Sequence, residues 1–260
     1  MNVTLYRGIA VGAEDIDTAL TNIRIKGLAG DEGDWKRKAP NVQKVTNNTD
    51  AFYSNDNLRV DDIYDEADCL GIFACGDEKG AKYYSLNHNA TQEKSASIII
   101  SFEAKFEDIY VDCRDFLVTA FCSFDRESHD FHEKQLKELI HLFGASVERY
   151  FAKSCESDNH EYRTAMANLA CFDRNVVKAH YDNDLTIEGR CGTQFQSAFT
   201  VKGPIQPDAI VDCKVVNETY NLSLPYISLP DFIKGKFPLV GPQEWREVKK
   251  IIREKNPEIK

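Results

Sequence analysis

Arg7 interrupts the apolar run "VTLYRGIAV" (3–11) and is followed at once by Gly8. A guanidinium there either lies on a solvated face, paired with a surface acid, or turns inward with a partner, because burying it alone is costly. In the second case its forked donors suit phosphate or ribose oxygens, and Gly8 lets a ligand approach the backbone. A second constellation lies in "GTQFQSAFTVK" (192–202), where Gln194 and Gln196 alternate along an apolar strand. Period-two spacing puts both amides on one face. An amide can hydrogen-bond a hydroxyl, but it cannot accept a proton near neutral pH.

Other groupings are more simply explained. His129, His132 and Glu133 in "SHDFHEKQ" have a spacing seen in metal sites, yet the start of a surface helix accounts for them. Asp31, Glu32 and Asp34 fit a turn better than a cation site. There is no G-x-x-x-x-G-K-[ST] or G-x-G-x-x-G stretch for a nucleoside triphosphate or a Rossmann cofactor site, and no G-x-S-x-G elbow.

The elements that must position Arg7 and the glutamines can be outlined from pattern. Residues 3–11 form a strand, and "AEDIDTALTNIRIKG" a helix with Ile16, Ala19, Leu20 and Ile23 on one face and Gly27 as its stop. About thirty residues rich in Gly, Asn, Asp and Lys follow (27–60), a length usually reserved for functional loops, here either an insertion or a lid. "DCLGIFACG" (68–76) is a buried strand, "DEKGAKYYSLNHN" a short helix, and "SASIIISFEA" and "DIYVDC" are strands. "FLVTAFCSF" is a strand or a buried run that periodicity cannot resolve. A long helix over 131–153 carries a core stripe from Leu136 to Phe151, with Ser128 or Asp130 as its cap, and "EYRTAMANLA" is another. "LTIEGRCGTQFQSAFTVK" and "AIVDCKVV" are strands joined through the Gly203-Pro204 to Pro207-Asp208 turn. Residues 1–215 make one α+β domain, and 216–260 an extension ending in an amphipathic helix on Trp245, Val248, Ile251 and Ile252.

Composition narrows the classes. With 42% hydrophobic and 28% charged residues, the 260-residue chain can build a full core. A net charge of −10 disfavours broad nucleic-acid binding, which needs clustered Lys and Arg, although a local basic pocket remains open. Nothing approaches the ~18 apolar residues that cross a bilayer. Eight cysteines without a C-x-x-C pair suit reduced, buried thiols, and with no signal-peptide pattern the expected location is cytoplasmic.

Four segments, taken in order, resemble the ADP-ribosyltransferase-like superfamily, which includes bacterial ADP-ribosylating toxins, relatives of the DarT and RES toxins, and the tRNA 2′-phosphotransferases. They are "LYRG" (5–8), "CLGIFACGDEKGAKYYS" (69–85), "SASIIISFEA" (95–104) and "FQSAFTVKGPIQPDAI" (195–210). The second matches a strand-to-helix unit through Cys75, Asp77, Ala81 and Tyr84. The last matches a G-x-I-x-P-x-x-I turn through Gly203, Ile205, Pro207 and Ile210. The resemblance covers 1–26, 68–112 and 185–216.

It implies split, curved β-sheets with flanking helices and a dinucleotide in the cleft between them. It further implies NAD as the substrate, with ADP-ribose passed to a macromolecular acceptor or to water. Arg7 and Gly8 would hold the dinucleotide, Tyr83 or Tyr84 would stack on nicotinamide, and Ser101, with Ser95 and Ser97, lies where some members carry a Ser-Thr-Ser element. The catalytic Glu of the family should fall near Gln194–Ala198, so Gln194 and Gln196 occupy the place of an acid. Glu188 and Asp212 are the nearest carboxylates able to replace it. The alternative is an inactive binding module on the same fold, recognising a protein or a nucleotide. By analogy, compact members act as toxins or in phage conflict.

Overall fold

The computed structural model describes residues 1–29, 39–40, 64–65, 71–91, 94, 96–112, 114, 116–123, 129–156, 160–189, 192–216 and 226–234. Most of the expected loop at 27–60 and the terminal helix around Trp245 lie outside these residues.

Strand β1 (Asn2–Val11) alternates as its sequence requires, with Val3 and Leu5 turned into the core. It pairs antiparallel with β5 (Ala96–Lys105) over ten positions, from Asn2↔Lys105 to Val11↔Ala96. In β5 the run Ile98, Ile99 and Ile100 is buried on both faces, which explains a continuous apolar stretch in place of alternation. The other edge of β5 pairs with β10 (Ile210–Val216). On the far side of β1 stands β4 (Gly71–Cys75), which pairs with β9 (Ala198–Lys202), which in turn pairs with β6 (Ile109–Val111). The order is β10-β5-β1-β4-β9-β6, antiparallel throughout.

Among the described residues the two halves of this sheet are joined at a seam of one register position, Tyr6↔Cys75. A smaller sheet carries β7 (Thr186–Glu188) between β8 (Gln194–Phe195) and β11 (Tyr226–Ser228), and Ala39–Pro40 (β2) pairs with Tyr64–Asp65 (β3).

Helix α1 (Ile16–Lys26) ends at Gly27, as its pattern predicts. Helix α2 (Glu78–Tyr83) starts on Asp77, whose carboxylate accepts the Gly80 N–H at 2.6 Å, and runs on into a π-helical turn over Tyr84–His88. It crosses β1 at Gly8, where a Cβ would lie 1.8 Å from the Ala81 carbonyl oxygen. What closes on that glycine is a helix.

Three expectations change. "FLVTAFCSF" forms a helix, α3 (Leu117–Cys122), with Leu117, Ala120 and Phe121 buried against α6 (His160–Phe172). The long helix breaks in two, α4 (His129–Phe143) and α5 (Glu148–Ser154), because Gly144 takes a φ of 77° and a 3-10 turn follows. Its core stripe persists through the break in Leu139, Phe143, Val147 and Phe151. The run from Leu185 to Lys202 is three strands, and Gln196 falls in the gap between β8 and β9, so it shares no strand with Gln194.

The pattern also missed α7 (Arg174–Tyr181), capped by Asp173, which accepts the Asn175 N–H at 2.8 Å. Arg174 ties α7 to the sheet through the Phe106 and Ile109 carbonyls, at 2.8 and 2.9 Å. Beyond β11, α8 (Leu229–Ile233) buries Leu229 and Phe232, the latter edge-on to Phe116 at 5.3 Å. Among the described residues no helix is long and apolar enough to cross a membrane, and Cys122 and Cys213 are free thiols.

Candidate functional site

A cavity of about 430 Å³ lies at the seam, walled by β1 residues Tyr6 to Ala10 on one side and by Phe73, Ala74 and Cys75 of β4 on the other. Its size is that of a small-molecule site. Antiparallel strands in register leave no such space, so the cavity exists because β1 and β4 part after Tyr6↔Cys75.

Arg7 turns into it. Its Nη1 donates to the Phe73 carbonyl at 3.1 Å, so a side chain spans the seam where the backbone ladder does not. That half-buried bond is one partner for a guanidinium carried by an apolar strand. The ring of the same Phe73 carries a second arginine, with the Arg114 guanidinium carbon 3.7 Å from its centroid. Arg114 is forked onto Asp112, Nε to Oδ1 at 2.9 Å and Nη2 to Oδ2 at 2.7 Å. The Asp112 side chain is 7% exposed, and its backbone N–H donates to the Ala198 carbonyl at 2.8 Å, which fixes it to the start of β9. With Lys94, three cations line this cavity against one carboxylate, Asp112, among the described residues. In a protein of net charge −10 that is a local reversal of sign, and it suits an anionic guest.

The expected residues divide. Arg7, Gly8 and Tyr84 line the cavity, and the Tyr84 ring lies 6.5 Å from that of Phe195, inclined 30°. Tyr83 turns towards the β7–β8 hairpin: burial, and then the Glu188 charge, raise its hydroxyl above the usual tyrosine range. Ser101 sits opposite Tyr6 and Asp212 across the strands, on the sheet face opposite to Arg7, and is not among the described lining residues. Gln194 faces Glu188 across the small sheet. Gln196 is a tether: its N–H donates to Asp77 Oδ2 at 2.9 Å, its Nε2 to the Asp184 carbonyl at 3.2 Å, and its carbonyl accepts from Asn183 at 2.6 Å. Neither glutamine is among the described lining residues, nor are Glu188 and Asp212. Asp212 instead caps its neighbour's N–H, at 2.8 Å, on the outer strand β10.

Two groups hold the walls in place. Burial pushes the Asp77 carboxyl up, against the backbone N–H groups of Gln196, Gly80 and Ser197 that favour its charge. These bonds fasten the start of α2 to the segment entering β9. His180, on α7, accepts the Ala198 N–H on Nε2 at 3.1 Å, so its proton sits on Nδ1, facing the Leu142 carbonyl at 3.2 Å. Burial lowers its pKa to about 4, which keeps the ring neutral, stacked on Phe143 at 4.6 Å.

Reading by sequence missed Asp112, Arg114 and Lys94. The signal was present in "YVDCRD" (110–115), an acid and an arginine two apart directly after a strand, the spacing at which one side chain can fork onto the other. Of the grouping at 129–133, the side chains of His129 and His132 lie outside the described residues, and Glu133 pairs with Lys137 at 2.7 Å. Comparisons of the chain with protein-family models, curated proteins and solved structures gave no match.

Proposed function

We propose that the protein is an ADP-ribosyltransferase-like enzyme that binds NAD in the seam cavity and passes ADP-ribose to a macromolecular acceptor or to water. The observation that carries this reading is the meeting of Arg7, Lys94, Arg114 and Tyr84 around one cavity. The topology supports it as well. The segments that resemble the superfamily lie on neighbouring strands: β1, β4 with α2, β5, β9 and β10. A sheet that opens along one line also agrees with the cleft such a fold needs.

The chemistry suits these side chains. A pyrophosphate carries two negative charges, and forked guanidinium donors satisfy several of its oxygens at once. The aromatic ring of Tyr84 can accept a planar ring. Departure of nicotinamide leaves positive charge on the ribose, so the work of the protein is holding the sugar and placing the incoming oxygen.

The test is NAD affinity by calorimetry together with nicotinamide release by chromatography, on the wild type and on Arg7→Lys and Arg114→Ala. Arg7→Lys keeps a donor for the Phe73 carbonyl but loses the fork. Each variant is expected to bind NAD at least ~10-fold more weakly, the scale of one lost charge-assisted contact. A wild-type protein that neither binds NAD nor releases nicotinamide would leave the binding-module reading in its place.

A further inference from the structure

The sequence leaves amides where the resemblance expects an acid, and the structure contains another carboxylate at the site, Asp112. We infer that Asp112 is the catalytic carboxylate of this cavity, on the proposed reading that the guest is NAD. Three observations converge on it. It is the one carboxylate among the described lining residues, whereas Glu188 and Asp212 lie outside. It is anchored from both ends, by its N–H on the Ala198 carbonyl and by the Arg114 fork on its two oxygens. Ala198 lines the same cavity and follows directly on the Gln196–Ser197 break, so Asp112 stands beside the strand position that the glutamines fail to serve.

The step balances without another reactant. The bond between ribose C1′ and the nicotinamide nitrogen breaks, and both electrons leave with nicotinamide. The oxygen of water or of an acceptor hydroxyl forms the new bond to C1′. Its proton passes to the Asp112 carboxylate and then to solvent. While C1′ carries positive charge, the carboxylate stabilises it electrostatically. Arg114 is the positioning residue: it fixes the plane of the acid and, stacked on Phe73, presents its own charge to the phosphates.

The experiment compares Asp112→Asn, Asp112→Glu, Arg114→Ala, Glu188→Gln and Asp212→Asn with the wild type, measuring NAD affinity and nicotinamide release separately across pH. Asp112→Asn is expected to lower release at least ~100-fold while changing the NAD Kd less than ~3-fold, the split that separates catalysis from binding. It should also lose the acid limb of the pH–rate profile, with Asp112→Glu restoring part of both. Glu188→Gln and Asp212→Asn should keep the wild-type rate. The inference is overturned if Asp112→Asn releases nicotinamide at the wild-type rate, or if it weakens NAD binding as much as it slows release, as loss of Arg114 positioning alone would do. Binding of NAD by the wild type without release overturns Asp112 as the acid but leaves the cavity assignment standing. Absence of both binding and release overturns the two together.

Discussion

At the scale of single residues, the candidate site is defined by pairings across long sequence distances. Arg7 announced itself because a lone charge in an apolar strand must be accounted for, and the Phe73 carbonyl is its account. Asp112 and Arg114 did not, since nothing local shows that the chain after β6 faces β1. The glutamines misled for a related reason. Their alternation is genuine, but Asp77, brought by α2, takes the Gln196 N–H and ends the strand there. Asp77→Ala leaves the half-buried Gln196 and Gly80 N–H groups without this acceptor and is expected to cost about 2–4 kcal/mol of stability in urea denaturation. A loss under ~0.5 kcal/mol would show that water replaces the carboxylate and that this corner is not buried.

At the scale of elements, periodicity served where one face of an element is buried and failed where packing or a glycine overrides it. β1, α1 and the Leu139 to Phe151 stripe were legible. The break at Gly144 was not, because Phe143, Val147 and Phe151 continue the helical spacing across it. The Leu117–Cys122 segment is apolar in both readings, and only its burial against α6 decides for a helix. The contact of α2 with β1 gives a sharper prediction. In Gly8→Ala the new methyl would lie 1.8 Å from the Ala81 carbonyl, so α2 must retreat, carrying Tyr84 with it. The expected cost is about 2–4 kcal/mol, with the proposed NAD binding lost beyond what global unfolding explains. Thermal melts and calorimetry on the same sample check both halves.

At the scale of the whole molecule, two buried groups give stability opposing dependences on pH. His180 has a folded pKa of about 4 against an ordinary 6.5, so between these values the unfolded chain binds a proton that the native protein refuses. Its contribution is therefore lost as pH falls through that window, by up to about 3 kcal/mol. Glu138, on α4, is 5% exposed, and burial pushes its pKa up to about 7. Between 4.5 and 7 the native state holds the extra proton, so this contribution is lost as pH rises, by a similar amount. The two slopes oppose each other in the overlap. Glu138→Gln should stabilise the protein at pH 8 by up to about 3 kcal/mol, and little at pH 4.5. His180→Gln should lose the acid-side slope and expose the fall toward neutral pH. Urea titrations from pH 4 to 8 on the three proteins check this, and parallel curves would overturn it.

The seam has one more consequence. A protein whose central strands, among its described residues, are in backbone register at Tyr6↔Cys75 alone is two slabs with an unfinished mortar line. Whatever settles there acts as the missing course, stitching one slab to the other through Arg7 on one bank and Arg114 on the opposite bank. Among the amides from Tyr6 to Gly8 and from Phe73 to Cys75, those that point into the seam and not toward β5 or β9 should therefore take up deuterium rapidly in the empty protein and slowly when NAD, the proposed guest, is added, with the pairing of β1 and β5 unchanged.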